Sequence, residues 1–145
     1  MDVIKVKLKA EGGVMPPSYA TAGASGMDLR ASEAAVIKAG KRGIVGTGIY
    51  IELPDGYEAQ VRPRSGLAFK YGVTVLNSPG TIDSDYRGEI RVILMNLGEE
   101  DFAIEPGDRI AQMVFAPVTK AELETADELG ETARAEGGFG STGKK

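Results

Sequence analysis

Two aspartates, Asp83 and Asp85, lie close together in the stretch GTIDSDYRG, and either carboxylate could act as a general base. The chain has no histidine and no cysteine, which excludes imidazole bases, Ser-His-Asp triads, thiol nucleophiles and thiolate metal sites. Acid–base chemistry is therefore left to carboxylates, lysine or tyrosine. On the residues alone the two aspartates are equal candidates, since an aspartate in a turn often only bonds backbone groups.

The arginines in the middle of the chain could neutralise an anion. Without special context such residues are solvated or ion-paired surface groups. Arg64, however, is followed directly by Ser65 and Gly66, so a guanidinium, a hydroxyl and a backbone amide can converge on one anion. The stretch RPRSGLA therefore predicts a phosphate-binding site formed by Arg64, Ser65 and Gly66. Arg62 is expected to pair with a neighbouring carboxylate and not to bind the phosphate.

The C-terminal stretch EGGFGSTGKK is glycine-rich and shows no alternating pattern. This composition is typical of a mobile, disordered tail. Phe139, isolated between glycines and followed by Ser141 and Thr142, is also suited to close over a flat ring and hydrogen-bond a polar group beside it. Composition alone leaves both interpretations open.

The elements that must position these residues are predicted to be strands. Apolar and polar residues alternate at 4–9 and 57–62, as in half-buried strands. The runs IVGTGIYIEL, GVTVLN, EIRVILMN and RIAQMVF are rich in β-branched residues and bounded by turn formers. SGLAFKYG predicts one helical turn, capped by Ser65 and ended by Gly72. The pattern favours an all-β barrel or jelly roll.

Length and charge restrict the class of protein further. A chain of 145 residues with 42% apolar residues fits one domain, which we place at 1–133, followed by a flexible segment at 134–145. The N-terminus lacks the apolar core of a secretory signal, and no apolar run approaches membrane-spanning length. A net charge of −4 argues against nucleic-acid binding. We expect a protein of the cytoplasm or another intracellular soluble compartment, without nucleic-acid or membrane partners.

Five stretches of the chain form an ordered set. They are AGASGMDLRA at 22–31, RPRSGLA at 62–68, NSPGTIDSDYRGEI at 77–90, GDRIAQMVF at 107–115 and RAEGGFGSTG at 134–143. In order and spacing they closely resemble the five motifs of the homotrimeric dUTPases, over nearly the whole chain. The resemblance implies a distorted jelly-roll subunit, a trimer with shared active sites, and magnesium-dependent hydrolysis of dUTP to dUMP and pyrophosphate. Such an activity keeps uracil out of DNA and supplies dUMP for thymidylate synthesis.

The resemblance also assigns a catalytic base and a nucleoside site. It implies that Asp83 activates a water for attack at the α-phosphate. The SPGT turn is expected to lead into a β-hairpin whose backbone reads the uracil edge. Tyr86 would pack on the deoxyribose and exclude a 2′-hydroxyl, although simple core packing is the plain alternative. By this resemblance the residues that read uracil would be Asn77, Gly80, Thr81 and Ile82.

The remaining implied roles concern the phosphates and the metal. Gln112 matches a position that contacts the phosphates, while Asp108 and Arg109 are expected to hold backbone or an ion pair. Asp28 is expected to act on the metal only through water, or to orient an arginine, with Mg²⁺ held mainly by the triphosphate. In the tail, Arg134, Ser141 and Thr142 would bind the γ-phosphate, and Phe139 with Gly140 would cover the uracil. Ala135 departs from the glycine common at this place in the family.

Two alternatives remain from the sequence. A dCTP deaminase of the same fold would need groups that displace an exocyclic amine, and the uracil-type hairpin and complete tail argue against it. A non-catalytic dUTP-binding sensor would signal through a partner, but no added interaction segment supports it.

Overall fold

The computed structural model describes all residues from Met1 to Lys145. Its regular elements are eleven short strands and one helix. The strands are β1 (Lys7–Ala10), β2 (Met27–Arg30), β3 (Ala35–Ile37), β4 (Arg42–Gly46), β5 (Ile49–Glu52), β6 (Tyr57–Arg62), β7 (Val73–Val75), β8 (Gly80–Ile82), β9 (Arg91–Asn96), β10 (Phe102–Ile104) and β11 (Arg109–Pro117). The helix is α1 (Ser65–Tyr71). The predicted all-β class with one short helical turn is confirmed.

The strands form four small sheets. The largest has the order β2-β11-β6-β8, and the next has the order β4-β9-β7. β1 pairs with β5, and β3 pairs with β10. All of these pairings are antiparallel. Most join segments far apart in sequence, so the sheets can form only when the whole chain is folded.

The core follows the alternation read in the sequence. In β6, Ala59 and Val61 are buried, while Arg62 at its end is exposed. Nineteen buried apolar side chains form one continuous cluster beneath the sheets. Because successive side chains of a strand point to opposite faces, this alternation leaves one face of each strand free for polar residues. The predicted strand at 4–9 is confirmed only from Lys7 onward, and the run at 44–53 forms two strands separated at Thr47 and Gly48.

The helix differs from its prediction at its first residue. α1 ends as expected at Gly72, whose φ of 69° is left-handed and whose N–H bonds the carbonyls of Ala68 and Leu67. The prediction that Ser65 caps the helix is wrong, because Arg64 is the capping residue and makes no side-chain capping bond. Ser65 is the first residue within the helix.

The body of the fold ends soon after β11. The N–H of Val118 still bonds the carbonyl of Gly56, but every later hydrogen bond joins two residues of the C-terminal segment itself. Residues 119–145 are exposed apart from Gly137, which is half-buried. Within one chain, residues 119–145 are therefore not held to the β-rich body by any hydrogen bond.

Candidate active site

A pocket of about 290 Å³ opens beside β8. The predicted nucleoside-site residues that line it are Asn77, Gly80, Thr81, Ile82, Asp83 and Tyr86. Apolar side chains from four other strands and from the segment before β9 complete its wall, namely Ile44, Val61, Val75, Ile90, Val92 and Ile93. The structure thus brings six of the predicted residues together in one cavity with an apolar interior and a polar edge.

The strand pairing that forms this pocket differs from the predicted β-hairpin. The turn at Ser78–Pro79 leads into β8, but β8 pairs only with β6, and the strands on either side of it in the sequence, β7 and β9, pair with each other. The hairpin prediction is therefore wrong: the turn connects two sheets. Gly80 lies opposite Val61 in the register, and a Cβ atom at Gly80 would be 3.3 Å from the Val61 Cβ. A glycine at this place lets β8 approach β6 closely and keeps the pocket open.

Asp83 lies directly after β8, at the start of a turn. Its carbonyl accepts a hydrogen bond of 3.1 Å from the N–H of Tyr86, and its side chain lies at the exposed edge of the pocket. Asp85, the other candidate base, does not line the pocket. Of the two candidate bases, therefore, only Asp83 belongs to the wall of the cavity.

Tyr86 is held by its hydroxyl. The Tyr86 Oη donates a hydrogen bond of 2.8 Å to the carbonyl of Glu89, and the side chain remains 45% exposed at the pocket. This exposure does not agree with the alternative that Tyr86 only packs in the core. A Cβ atom at Gly88 would collide with the Tyr86 ring, so the absence of a side chain at Gly88 makes room for the ring.

A second cluster lies beyond the Arg62 end of β6. Asp28 Oδ1 is 3.3 Å from Arg64 Nε, and Asp28 Oδ2 is 3.4 Å from Arg109 Nη1. These three residues come from β2, the start of α1 and β11, because β11 lies between β2 and β6 in the sheet. Arg109 therefore holds an ion pair, as predicted. None of the three residues lines the pocket.

Gln112 belongs to the same region. In the register it lies opposite Asp28 on one side and opposite Arg62 on the other. Its Nε2 donates a hydrogen bond of 2.9 Å to the carbonyl of Pro63, which leads to Arg64. A Cβ atom at Gly26 would be 2.8 Å from the Gln112 Oε1, so Gly26 leaves room for this side chain.

Arg62 differs from its prediction. Its guanidinium donates to the Oε1 of Gln60, at 3.1 and 2.8 Å, rather than pairing with a carboxylate. The Nε2 of Gln60 in turn donates to Glu58, so a neutral amide stands between the two charges. Ser65 and Gly66 lie at the exposed start of α1, next to Arg64. The predicted phosphate-binding residues at 64–66 therefore share one exposed corner with Gln112.

The predicted tail residues lie apart from both clusters. Arg134 bonds the carbonyl of Gly137 within the tail, and Phe139 is fully exposed. Gly140, Ser141 and Thr142 are exposed as well. Phe139 and Ala135 have positive φ values of 48° and 49°, which places left-handed turns at both positions. Within a single chain, the tail is not brought to the pocket.

The acidic side chains of the chain do not form a metal site on their own. No group of three histidine, cysteine, aspartate or glutamate side chains converges anywhere in the chain. Both carboxylate oxygens of Asp28 face arginines. Magnesium usually binds proteins through one or two carboxylates together with substrate phosphates and water, so the chain has no preformed magnesium cage and would hold the ion only together with a phosphorylated ligand.

Two residues near the pocket were not identified from the sequence. Glu89 lines the cavity, and Thr47 is fully buried behind the loop that carries Asp83 and Tyr86. Glu89 lies inside the third motif stretch, at 77–90, so the sequence could have identified it as a pocket residue. Thr47 lies in a β-branched run where a threonine is an ordinary strand residue, and nothing in its pattern distinguishes it.

An apolar pocket edged by a carboxylate, on the same all-β body as an arginine cluster, can bind the apolar part and the anionic part of a small ligand. The family model for dUTPase matches residues 14–143. The chain therefore belongs to the dUTPase family.

Two relatives agree with this assignment. The chain is 57% identical over 142 residues to the deoxyuridine 5′-triphosphate nucleotidohydrolase of Brucella melitensis biotype 2, covering 95% of this chain and 90% of that protein. It is 58% identical over 144 residues to the enzyme of the same name from Rhizobium meliloti, covering 97% and 90%.

Among solved structures, a variant dUTPase of Staphylococcus bacteriophage 80alpha with dUpNHpp superposes with a TM-score of 0.88 at 23% identity, over 98% of this chain and 100% of that chain. A variant dUTPase from phage phi11 of S. aureus, described with a structural Mg(II) ion, gives 0.78 at 20% identity, over 88% and 100%. At these identities the likeness shows the common fold. No helix of the chain is both long enough and apolar enough to cross a membrane.

Proposed function

We propose that this protein is a dUTP diphosphatase, which hydrolyses dUTP to dUMP and pyrophosphate. The observation that carries the proposal is the placement of Asp83 at the edge of the pocket lined by Asn77, Gly80 and Tyr86, in a chain of the dUTPase family. The pocket accepts the nucleoside, and the carboxylate lies where the nucleoside ends and the phosphates begin.

In the proposed reaction, Asp83 accepts a proton from a water whose oxygen forms a bond to the α-phosphorus. The bond from that phosphorus to the bridging oxygen breaks, and the electron pair leaves with pyrophosphate. Asp83 is suited to this role because its side chain is exposed at the pocket edge, and because the turn bond to Tyr86 fixes its backbone.

Uracil is proposed to bind against Asn77, Gly80, Thr81 and Ile82. The close approach of β8 to β6 brings the backbone of Gly80 to the pocket surface. Backbone N–H and C=O groups can recognise a pyrimidine edge, and the apolar wall leaves little room for an added methyl group. Tyr86, fixed through its hydroxyl, would lie against the sugar and exclude a 2′-hydroxyl.

The phosphates are proposed to bind the exposed corner formed by Arg64, Ser65, Gly66 and Gln112. Asp28 holds Arg64 and Arg109 in fixed positions by two ion pairs, so the guanidinium of Arg64 is oriented before a ligand arrives. We assign Asp28 to this orienting role rather than to a water-mediated metal contact. Mg²⁺, carried by the triphosphate, would neutralise part of its negative charge.

The active site is proposed to be shared between chains of a trimer. The tail carries Arg134, Phe139, Ser141 and Thr142, yet it makes no hydrogen bond to its own body. A tail that extends away from its own pocket can reach the pocket of another copy and close it as a lid. The division into a β-rich domain and a C-terminal lid is part of this proposal.

Pyrophosphate release tests the proposed reaction directly. The protein is incubated with dUTP, dCTP, dTTP or UTP, each with and without magnesium. We expect rapid release from dUTP with magnesium and little from the other nucleotides. Deamination of dCTP without pyrophosphate release from dUTP would identify a deaminase, and tight dUTP binding without any product would identify a sensor. Light scattering of the intact protein tests the trimer.

A further inference from the structure

The loop that follows Asp83 is fastened to the connection between β4 and β5. Thr47, which is 1% exposed, donates a hydrogen bond of 2.6 Å from its hydroxyl to the carbonyl of Ile90. The same hydroxyl accepts a bond of 3.3 Å from the N–H of Ile49. The N–H of Ile90 bonds the carbonyl of Ile49 at 2.8 Å. Both backbone groups of Ile90 are therefore held by residues 47–49.

The neighbouring residue is held from the same connection. The Oε2 of Glu89 accepts a hydrogen bond of 3.0 Å from the N–H of Gly48. A Cβ atom at Gly46 would lie 2.6 Å from that oxygen, so the glycine leaves room for the carboxylate in this position. Gly48 has a φ of 68°, which turns its N–H toward the loop at a conformation that favours glycine.

A continuous set of contacts leads from this anchor to the proposed base. The carbonyl of Glu89 accepts the Tyr86 hydroxyl, and the N–H of Tyr86 bonds the carbonyl of Asp83. The other end of the loop begins at β8, which is fixed by its pairing with β6. The segment from Asp83 to Ile90 is thus held at both ends. At its C-terminal end, the carbonyl of Ile90 is held by the buried hydroxyl of Thr47.

We propose that Thr47 is a positioning residue for hydrolysis, which fixes the loop carrying Asp83 and Tyr86 without touching the substrate. This inference rests on the proposed function, because it assigns the loop a catalytic role. The uracil-binding residues of β8 are held by β6 instead, so loss of the Thr47 contact should affect turnover more than nucleotide binding.

The test compares Thr47→Val, which keeps the shape but removes the hydroxyl, with Thr47→Ser, which keeps the hydroxyl. We expect Thr47→Val to lower kcat by about 10- to 100-fold, the order expected when a catalytic group is displaced by a fraction of an ångström to an ångström. The KM for dUTP should change much less. Thr47→Ser should retain most of the wild-type kcat.

Two further measurements separate positioning from general stability. Ile104→Val, a buried substitution in β10 away from the loop, is the stability control and should leave kcat near wild type. Hydrogen exchange should become faster in Thr47→Val at peptides covering 83–90 and remain unchanged at 102–104. The test requires that the wild type hydrolyses dUTP. Equal kcat values for Thr47→Val, Thr47→Ser and Ile104→Val would then overturn the inference.

A second variant covers the case in which Thr47→Val does not fold. Glu89→Ala removes the contact to Gly48 from a half-buried side chain, and it should lower kcat and loosen the same loop. A folded Glu89→Ala protein with wild-type kcat and wild-type exchange at 83–90 would refute the anchoring role. A wild type without dUTP hydrolysis would instead refute the proposed function.

Discussion

Asp28 lies between two arginines, with Arg64 Nε 3.3 Å from one carboxylate oxygen and Arg109 Nη1 3.4 Å from the other. The Asp28 side chain is 21% exposed, and the two arginines are 28% and 46% exposed. Partly exposed ion pairs of this kind contribute only about 0–1 kcal/mol to stability. The main effect of Asp28 is therefore to hold two cations close together at the proposed phosphate corner.

Asp28→Asn is expected to lower kcat/KM for dUTP about ten-fold, which corresponds to roughly 1.4 kcal/mol of transition-state stabilisation. The amide cannot balance two guanidinium charges, so Arg64 should leave its position. Steady-state kinetics and the melting temperature measure the two effects. Asp55→Asn, in an exposed turn where Asp55 bonds only Gly56, is the control and should behave as wild type. A kcat/KM unchanged in Asp28→Asn would contradict the orienting role.

Asp83→Asn is expected to lower kcat by at least about 100-fold, the range of a general base, while dUTP binding is retained. Asp85→Asn is the matched comparison, because the two aspartates are two residues apart and only Asp83 lines the pocket. Single-turnover hydrolysis and calorimetric dUTP binding measure the two properties. A larger loss of turnover in Asp85→Asn would show that the base is Asp85.

Deletion of residues 137–145 is expected to abolish most dUTP hydrolysis without changing the melting temperature. The reason is that this segment makes no hydrogen bond to the body of its own chain, so its loss leaves the core intact. Removal of Lys144 and Lys145 alone is the control and should leave activity close to wild type. Full activity after the longer deletion would favour a disordered tail without a role in the site.

Gly88→Ala is expected to reduce the preference for dUTP over UTP by about ten-fold. An added methyl group would displace the Tyr86 ring, which we assign to exclusion of the 2′-hydroxyl. The ratio of kcat/KM values for the two nucleotides measures this preference. Gly12→Ala is a suitable control, because a Cβ atom there meets no neighbour within 4 Å. An unchanged ratio of the two kcat/KM values would show that Tyr86 does not exclude the 2′-hydroxyl.

Glu52 gives a prediction for acid stability. A hydrogen bond from Lys7 and the positive charge of Lys7 lower the pKa of Glu52 below its ordinary value of 4.5, with a further contribution from Arg87. The folded carboxylate therefore binds its proton less tightly than the unfolded one does. Its stabilising effect is present above about pH 4.5 and is lost as the pH falls through the lowered pKa.

Glu52→Gln should accordingly lower the melting temperature slightly at pH 7, and its difference from wild type should shrink as the pH falls well below 4.5. The effect is small because Lys7 and Glu52 are exposed to solvent. Glu122→Gln, in the exposed C-terminal segment, should show no such pH dependence. Melting curves between pH 3 and pH 7 provide the measurement, and a constant difference across this range would exclude the linkage.

Much of the local structure could be predicted because it depends on neighbouring residues. The alternation of Tyr57–Arg62 specifies which side chains of β6 are buried, and Gly72 supplies the left-handed turn that ends α1. The cap was misassigned because Arg64 already has the extended conformation of a capping residue, one position before Ser65. A capping residue is defined by its backbone angles as well as by its side-chain type.

The pairing of strands could not be predicted in the same way. Alternation shows which face of β8 is buried, but it does not show that its partner is β6 rather than the adjacent β7. The contact of Asp28 with Arg109 joins residues 81 positions apart and depends on β11 lying beside β2. The role of Thr47 likewise depends on its hydrogen bond to the carbonyl of Ile90, which lies 43 positions away in the sequence.

The detached position of residues 119–145 has a genetic consequence. In the proposed trimer, a chain with Asp83→Asn still donates an intact tail to the pocket of another chain. A chain that lacks residues 137–145 still has an intact base, Asp83. Two such defective alleles expressed together should complement one another, because mixed assemblies contain some pockets that combine the intact half of each. Mixed with wild-type chains, by contrast, either defective chain should lower activity only in proportion to its share, because every intact base still receives a tail in the first case and every intact tail still closes a pocket with a base in the second.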